Sequence, residues 1–383
     1  MVAGLRAQPM RQHALPPATH ARIVIKIGSS LLVGSDGDLR QQWLNTLASD
    51  VADRRNVGQQ VIIVSSGAIA LGARRLSLPK HGRASLEDAQ AAAAVGQIAL
   101  AHGWGDALAA HDLTAAQILL TLGDLEDRRR YLNASATLDR LLALGAVPVV
   151  NENDTVATEE IRFGDNDRLA ARVAQAAGAN GLILFSDVDG LFSADPAHDP
   201  NAKRIKTVEA MTAELRAMAS PNSTSGMGSG GMATKLAAAD IAAQAGTDMV
   251  IVSGKPLHPL KRLEVDDCGT LFVAGTGHDP RKAWMAGRLT VAGTLTIDAG
   301  AVAALQSGAS LLAVGVRSFD GQFERGDIVS IISPDGRTIA HGLVEYNSPD
   351  TAKIIGLGRD AVGDALGYAP RSAMVHRDHM AML

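Results

Sequence analysis

The chain has 383 residues, 46% hydrophobic but only 3% aromatic, which is too long for one ordinary core and points to globular domains built on Ala, Val, Leu and Ile. Its 36 Lys and Arg nearly balance 40 Asp and Glu, for a net charge of -4, so no general attraction to nucleic acid or to an anionic membrane is expected. The single cysteine, Cys268, excludes an intramolecular disulfide and a multi-cysteine metal site and fits a reducing, cytoplasmic compartment, while no apolar run approaches the ~20 residues of a membrane span.

The opening stretch MVAGLRAQPMRQHALPPATH has arginines and prolines but no continuous apolar segment, so residues 1–20 read as a disordered extension and not as a signal peptide. From Ala21 onward, short β-rich runs alternate with helical ones. RIVIKIGSS and QQVIIVSSGAIA predict strands that enter glycine turns, followed by the helix of LEDAQAAAAVGQIALAHGWGDALAAH. GAVPVVNENDTV, NGLILFSDVDGLF and TDMVIVSG repeat the strand-then-polar-turn pattern, separated by helical NDRLAARVAQAAG and GGMATKLAAADIAAQAG. The alternation predicts an α/β domain over residues 21–276, a mainly parallel sheet sandwiched by helices, with ligands beyond the carboxyl ends of its strands. Around GTGHDPRKAWMAGR the texture changes, which suggests a linker at 277–290. Beyond it GTLTID, SLLAVGVRSFDG, GDIVSIISPDGRTIAHGLVEY and AKIIGLG predict short strands, with one helix at AGAVAALQSG. Residues 291–370 thus read as a small β-barrel-like domain, followed by a tail at 371–383 in which HRDH sits on a frayed terminal helix with solvent-facing histidines.

Most of the unusual polar residues follow predicted strands. Lys26, with Gly28 and Ser29 just beyond it, stands either on the polar side of an edge strand or where a strand end meets a phosphate. Ser66 and Gly67 are either a glycine turn into a helix or donors to an anionic group. NENDTV crowds Asn151, Glu152, Asn153, Asp154 and Thr155, and GDNDRLAAR sets Asp165, Asn166 and Asp167 ahead of a helix. Both clusters suit caps and turns, and equally an ammonium group, a lysine that needs orienting, or Mg²⁺ held together with phosphates. Ser186 and Asp187 form an Asx turn or a nucleotide contact. The loop SGMGSGGMATKLAAAD fits neither familiar phosphate template. Lys235 follows Thr234 instead of preceding it, and Gly226, Gly228 and Gly231 spell G-x-G-x-x-G without a strand ahead of them. What remains is glycine N–H groups, a helix N-terminus and a lysine, which suit an anion, or else a Gly/Ser surface loop. No Ser/His/Asp order and no protein-borne metal site stands out.

Together and in this order, VIKIGSS, VSSGAIALG, NENDTVATEEIRFGDND, FSDVDGLFSADP and GSGGMATKLAAAD closely resemble the glutamate 5-kinase family of the amino acid kinase superfamily. The resemblance runs from about Ala21 to the end, where GRTIAHGLVEYNS and MVHRD look like that family's PUA domain. It implies transfer of the ATP γ-phosphate to the side-chain carboxylate of L-glutamate, for proline biosynthesis, with Mg²⁺ as cofactor. By resemblance, Lys26 and Lys235 hold the transferring phosphoryl group and Asp167 orients them. Ser66, Gly67, Asp154 and Asn166 bind glutamate, Asp154 facing its ammonium. Lys26, Ser186, Asp187, Ser229, Gly230, Gly231, Met232, Ala233, Thr234 and Lys235 bind ATP. Ser186 and Ser229 stand where threonine is expected, and both keep the hydroxyl. The resemblance further implies a homo-oligomer, feedback inhibition by proline and delivery of product to a glutamyl phosphate reductase. Two alternatives are a superfamily kinase with another carboxylate acceptor and an RNA-binding protein acting through the PUA domain. The second is disfavoured, because residues 291–383 carry seven Lys and Arg against ten Asp and Glu.

Overall fold

The computed structural model describes residues 13, 15, 16, 18–156, 165–194, 196, 199–212, 215, 231–274, 291–371 and 373–382. Its contacts divide the chain into two units, Met1–Glu126 with Asn133–Thr276, and Asp127–Leu132 with Gly277–Leu383. The linker expected at 277–290 lies outside the described residues.

The first unit is built on an eight-stranded sheet. Its strands are β1 (Arg22–Ile27), β2 (Gln60–Val64), β3 (Ala115–Leu120), β4 (Val147–Glu152), β5 (Gly181–Ser186), β8 (Thr207–Val208), β9 (Asp248–Ser253) and β10 (Thr270–Phe272), in the order β3-β4-β2-β1-β5-β9-β10-β8. Two short strands, β6 (Leu191–Phe192) and β7 (Arg204–Ile205), pair with each other alone. Every pair in the large sheet is parallel except β9 with β10. The helices are α1 (Ser29–Leu32), α2 (Gln41–Asn56), α3 (Ala68–Arg75), α4 (Leu86–Ala109), α5 (Leu122–Glu126), α6 (Arg128–Ala143, of which the part from Asn133 belongs to this unit), α7 (Asp165–Ala177), α8 (Met232–Gln244) and α9 (Pro259–Val265). The mainly parallel sheet is therefore as expected. Three of its strands, β3, β8 and β10, had no clear signal, because they are short or open on small and polar residues and lie toward the sheet's two ends.

Strand β1 is central, hydrogen-bonded to β2 on one side and β5 on the other, and the connections run outward in opposite directions from it. That reversal opens a crevice at the carboxyl ends of the strands. Because strand side chains alternate, Ile23, Ile25 and Ile27 pack into the core that also holds Trp43, Leu47, Leu100 and Trp104. Lys26 consequently points to the opposite face, where α7 packs on β1 and against α8. The edge-strand reading of Lys26 is thereby overturned.

The N-terminal extension also differs from expectation over its described part. Leu15 is fully buried in the core, and its carbonyl accepts hydrogen bonds from Arg54 and Gln59. An apolar side chain that fits a core gap, with its backbone satisfied by buried donors, orders a segment that composition alone marks as loose. Residues 1–12, 14 and 17 lie outside the described set.

Helices α3 and α4 cross at backbone contact. A Cβ on Gly72 would lie 1.7 Å from the Ala92 carbonyl oxygen, and one on Gly96 would lie 1.8 Å from that of Ala68. Helix α4 starts where Ser85 accepts the Asp88 N–H at 3.1 Å, with Glu87 and Asp88 favourably placed in its first turn.

The second unit holds a five-stranded sheet of β11 (Val291–Ile297), β12 (Val316–Gly321), β13 (Ile328–Ile332), β14 (Thr338–Leu343) and β15 (Met380–Met382), in the order β12-β11-β13-β14-β15. Helix α10 (Ala299–Gln306) matches the predicted one. AKIIGLG, expected as a strand, instead ends α11 (Ser348–Ile354) ahead of α12 (Arg359–Leu366). The local reason is Asn347, whose side chain caps α11 by accepting the Asp350 N–H, with Pro349 in the first turn. The tail is not frayed: β15 pairs with β14, Met374, Val375 and Met380 enter this unit's core, and His379 lies 3.5 Å from Glu345 in a short 3-10 turn.

Gly96→Ala should destabilise the first unit by about 3 kcal/mol or more, since the new methyl meets backbone and not a side chain that can turn away. Urea unfolding followed by circular dichroism measures this; a loss under 1 kcal/mol would mean that the two helices separate freely.

Candidate active site

Charge is gathered at the start of α7. Asp167 has 0% exposure, and its two carboxylate oxygens face two lysines: Lys26 Nζ is 2.6 Å from Oδ1 and Lys235 Nζ is 3.1 Å from Oδ2. Both lysines are themselves buried. Burial alone would push the Asp167 carboxyl up, but the two lysines, through their charges and hydrogen bonds, outweigh it and hold it below the usual carboxylate range. The first turn of α7 favours the same ionised form. Two cations around one anion leave the cluster with a net positive charge.

Helix α8 brings its N-terminus to this cluster through Lys235. Gly231 is its N-cap and offers no side-chain cap, so the first N–H groups of the helix have no intrahelical partner. Thr234 Oγ1 lies 2.8 Å from the Gly231 carbonyl oxygen and 3.2 Å from Asp167 Oδ2. The structure therefore joins Lys26, Asp167, Thr234 and Lys235, and places Gly231, Met232 and Ala233 in the adjoining cap and first turn. Ser229 and Gly230 lie outside the described residues, as does most of the preceding glycine-rich segment.

Next to Asp167 in sequence, Asn166 donates from Nδ2 to Ser66 Oγ at 2.9 Å. Its own Oδ1 is buried without a hydrogen-bond partner. Ser66 precedes Gly67, which caps α3 in a left-handed conformation (φ 105°), and a Cβ there would come within 3.0 Å of Val33. The start of α3 is thus a second helix N-terminus without a side-chain cap.

Ser186 ends β5 and donates to Asp187 Oδ1 at 3.0 Å, and Ser186 lies in register with Ser253 of β9. Within NENDTV the polar residues divide. Thr155 donates to Asn153 in a local turn at 2.7 Å. Asp154, only 9% exposed, instead lines a cavity of about 340 Å³ with Gln97, Gln117, Glu152 and Asn153.

Two groups near these residues, Gln97 and Arg83, are not singled out as site residues in the sequence, and Asn151 stands out only as part of NENDTV. Asn151, 2% exposed, donates to Gln97 Oε1 at 2.7 Å and leaves its Oδ1 buried without a partner. The signal for Gln97 is a lone amide inside the alanine-rich run of α4. Arg83 feels the charge of Asp154, although burial, the larger effect, lowers its proton affinity. No spacing in the sequence marks that pair.

The Amino acid kinase family matches residues 21–253, and the PUA domain matches residues 293–362. A protein of Sphingopyxis alaskensis named Glutamate 5-kinase is 62% identical over 96% of this chain and 99% of its own length. Proteins of the same name from Zymomonas mobilis and Novosphingobium aromaticivorans are 58% and 57% identical, each over 96% of this chain and over 92% and 97% of their own lengths.

Asp167→Asn leaves two buried ammonium groups without their counter-charge and should cost about 3–5 kcal/mol in urea unfolding at pH 7. The sign of the pH dependence follows from the depressed carboxyl. The stability it contributes is fully present above the unfolded value near 3.9 and is lost as pH falls through the lower folded value, so wild type should show an acid limb below about pH 4. That limb should shrink in the Asn variant; an identical limb in both proteins would place the responsible carboxylate elsewhere.

Proposed function

The chain belongs to the amino acid kinase family, and we propose that it is a glutamate 5-kinase, an ATP-dependent phosphotransferase that gives L-glutamyl 5-phosphate for proline biosynthesis. The observation that carries the reaction type is the buried Asp167 held between Lys26 and Lys235. A carboxylate attacking a polyphosphate is anion on anion, and a site of net positive charge shielded from water offsets that repulsion. Phosphoryl transfer asks for positioning and charge stabilisation more than for a nucleophilic side chain. The acceptor rests on the relatives, whose name specifies glutamate.

On this reading Lys26 and Lys235 carry positive charge to the transferring phosphoryl group, and Asp167 holds both ammonium groups in place. The free N–H groups of the first turn of α8, from Met232 onward, meet phosphate oxygens. Ser186, Asp187 and the loop from Ser229 to Lys235 complete the nucleotide site. Ser66 accepts a hydrogen bond from Asn166, so its hydroxyl proton is available to the substrate. The buried Asn166 Oδ1 is an acceptor for a substrate N–H, Gly67 lets backbone approach the acceptor, and Asp154 takes the ammonium. Mg²⁺ would arrive on the nucleotide's phosphates and supply further charge neutralisation. Among the described residues no group of three or more His, Cys, Asp or Glu could hold a metal ion by itself. A homo-oligomer, feedback by proline, a reductase that takes the product and a cytoplasmic setting belong to the same reading. No described helix is long and apolar enough to cross a membrane.

The decisive assay traps an acyl phosphate: protein, MgATP and hydroxylamine, with L-glutamate, L-aspartate and N-acetyl-L-glutamate compared side by side. Hydroxamate is expected from L-glutamate alone; hydroxamate from another acid would keep the phosphate site and discard the acceptor. Lys235→Ala should lower kcat about 10²-fold or more, and activity within about threefold of wild type would remove its role. Asn166→Ala should raise the KM for glutamate and leave that for ATP unchanged, the reverse pattern counting against the acceptor pocket. Added proline should raise the apparent KM for glutamate, and no shift at any concentration would remove the feedback claim.

A further inference from the structure

Thr234 sits in the first turn of α8, beside the lysine pair. Its hydroxyl oxygen is 2.8 Å from the Gly231 carbonyl oxygen and 3.2 Å from Asp167 Oδ2. A hydroxyl has one proton, so it donates fully to only one of the two at a time. Each acceptor keeps another donor whichever way the hydroxyl turns: the Gly231 carbonyl receives the Thr234 backbone N–H at 3.1 Å, and Oδ2 receives Lys235 Nζ at 3.1 Å. Lys26 meanwhile faces Oδ1.

Lys235 has two demands on its ammonium. It neutralises Asp167, and on the phosphotransfer reading above, on which this inference rests, it must also face the phosphoryl group. Turning toward phosphate weakens its hydrogen bond to Oδ2. Asp167 is completely buried, so bulk water is not at hand to replace that donor, and a buried carboxylate oxygen left short of donors is costly. Thr234 is the neighbouring side chain whose proton can move over by rotation about one bond.

We infer that Thr234 is a positioning residue for phosphoryl transfer: its hydroxyl turns from the Gly231 carbonyl to Asp167 as Lys235 turns to the phosphoryl group, so Oδ2 keeps a donor while Oδ1 stays ion-paired with Lys26. No bond is made or broken at Thr234, and its proton stays on Oγ1. The role differs from a nucleotide contact, because it acts through Asp167 and Lys235.

The test compares Thr234→Val, which keeps the shape and removes the hydroxyl, with Thr234→Ser, which keeps the hydroxyl and removes the methyl. Thr234→Val should lower kcat about tenfold, the size of one lost buried hydrogen-bond partner, with the KM for the acceptor acid within twofold of wild type. Thr234→Ser should rescue kcat to within about threefold. The acid limb of the kcat profile should also move to higher pH in Thr234→Val. The charged groups paired with Asp167 are Lys26 from β1 and Lys235 from α8, and a carboxylate that loses a donor binds its proton more readily. A purely structural role would lower activity without moving that limb.

A kcat within twofold of wild type in Thr234→Val overturns the inference. So do a Ser variant as impaired as the Val variant, an unmoved acid limb, and a loss confined to the KM for ATP. Should the Val variant fail to fold, Thr234→Ala carries the same comparison. The assay uses whichever acid the wild-type protein phosphorylates. A wrong acceptor therefore counts against the proposed substrate while the ratio of the variants stays readable, and no turnover with any acid overturns both.

Discussion

A fully buried carboxylate holding two buried lysines is the constraint around which the first unit is arranged. Lys26 comes from the middle of the sheet, Asp167 from the first turn of α7, and Lys235 from the first turn of α8. None of the three is tolerable alone: each charge would pay a large desolvation cost without the others. The register of β1, which aims Lys26 at one face, and the packing of α7 against both β1 and α8 are therefore chemical requirements as much as structural ones. A slip of one residue in β1 would turn Lys26 into the hydrophobic layer beneath Trp43.

The same cluster explains why the surroundings are so rich in backbone donors and poor in capping side chains. Helices α3 and α8 both begin on a glycine with no side-chain cap, which weakens each helix slightly in isolation. Leaving those N–H groups open gives an incoming anion partners that need no reorganisation. The partnerless Oδ1 atoms of Asn151 and Asn166 are the acceptor counterpart of those open donors.

Much of this was legible in the amino-acid sequence, for identifiable reasons. Strands buried on both faces appear as β-branched, mainly apolar runs, so RIVIKI and GLILFS declared themselves, and the polar residues that follow them marked the strand ends. Peripheral strands such as β3 lacked that signal, with Gln117 interrupting AAQILL. Lys26 was ambiguous because a strand's place in a sheet is a tertiary fact. The caps of α11 were local but outweighed by the β-rich look of KIIGL, and Leu15 was overlooked because one buried leucine has no periodicity. Asp167, Lys26 and Lys235 stand out in the sequence and take their roles from resemblance; their meeting at one carboxylate is a matter of three-dimensional geometry.

The crossing of α3 and α4 has a different kind of reach. Gly72 approaches the backbone at Ala92 and Gly96, and Gly96 approaches the backbone at Ala68 and Gly72, so the two positions share a single gap between helices. A side chain at either one forces the same separation, and once the helices have parted, a second costs less than the first. In evolutionary terms the pair behaves as one character: lineages would keep both glycines or, after a repacking that also shifts Ser66 at the head of α3 and Gln97 on α4, lose both. Change around Ser66 and Gln97 would then be paced by a pair of residues in the gap between two helices.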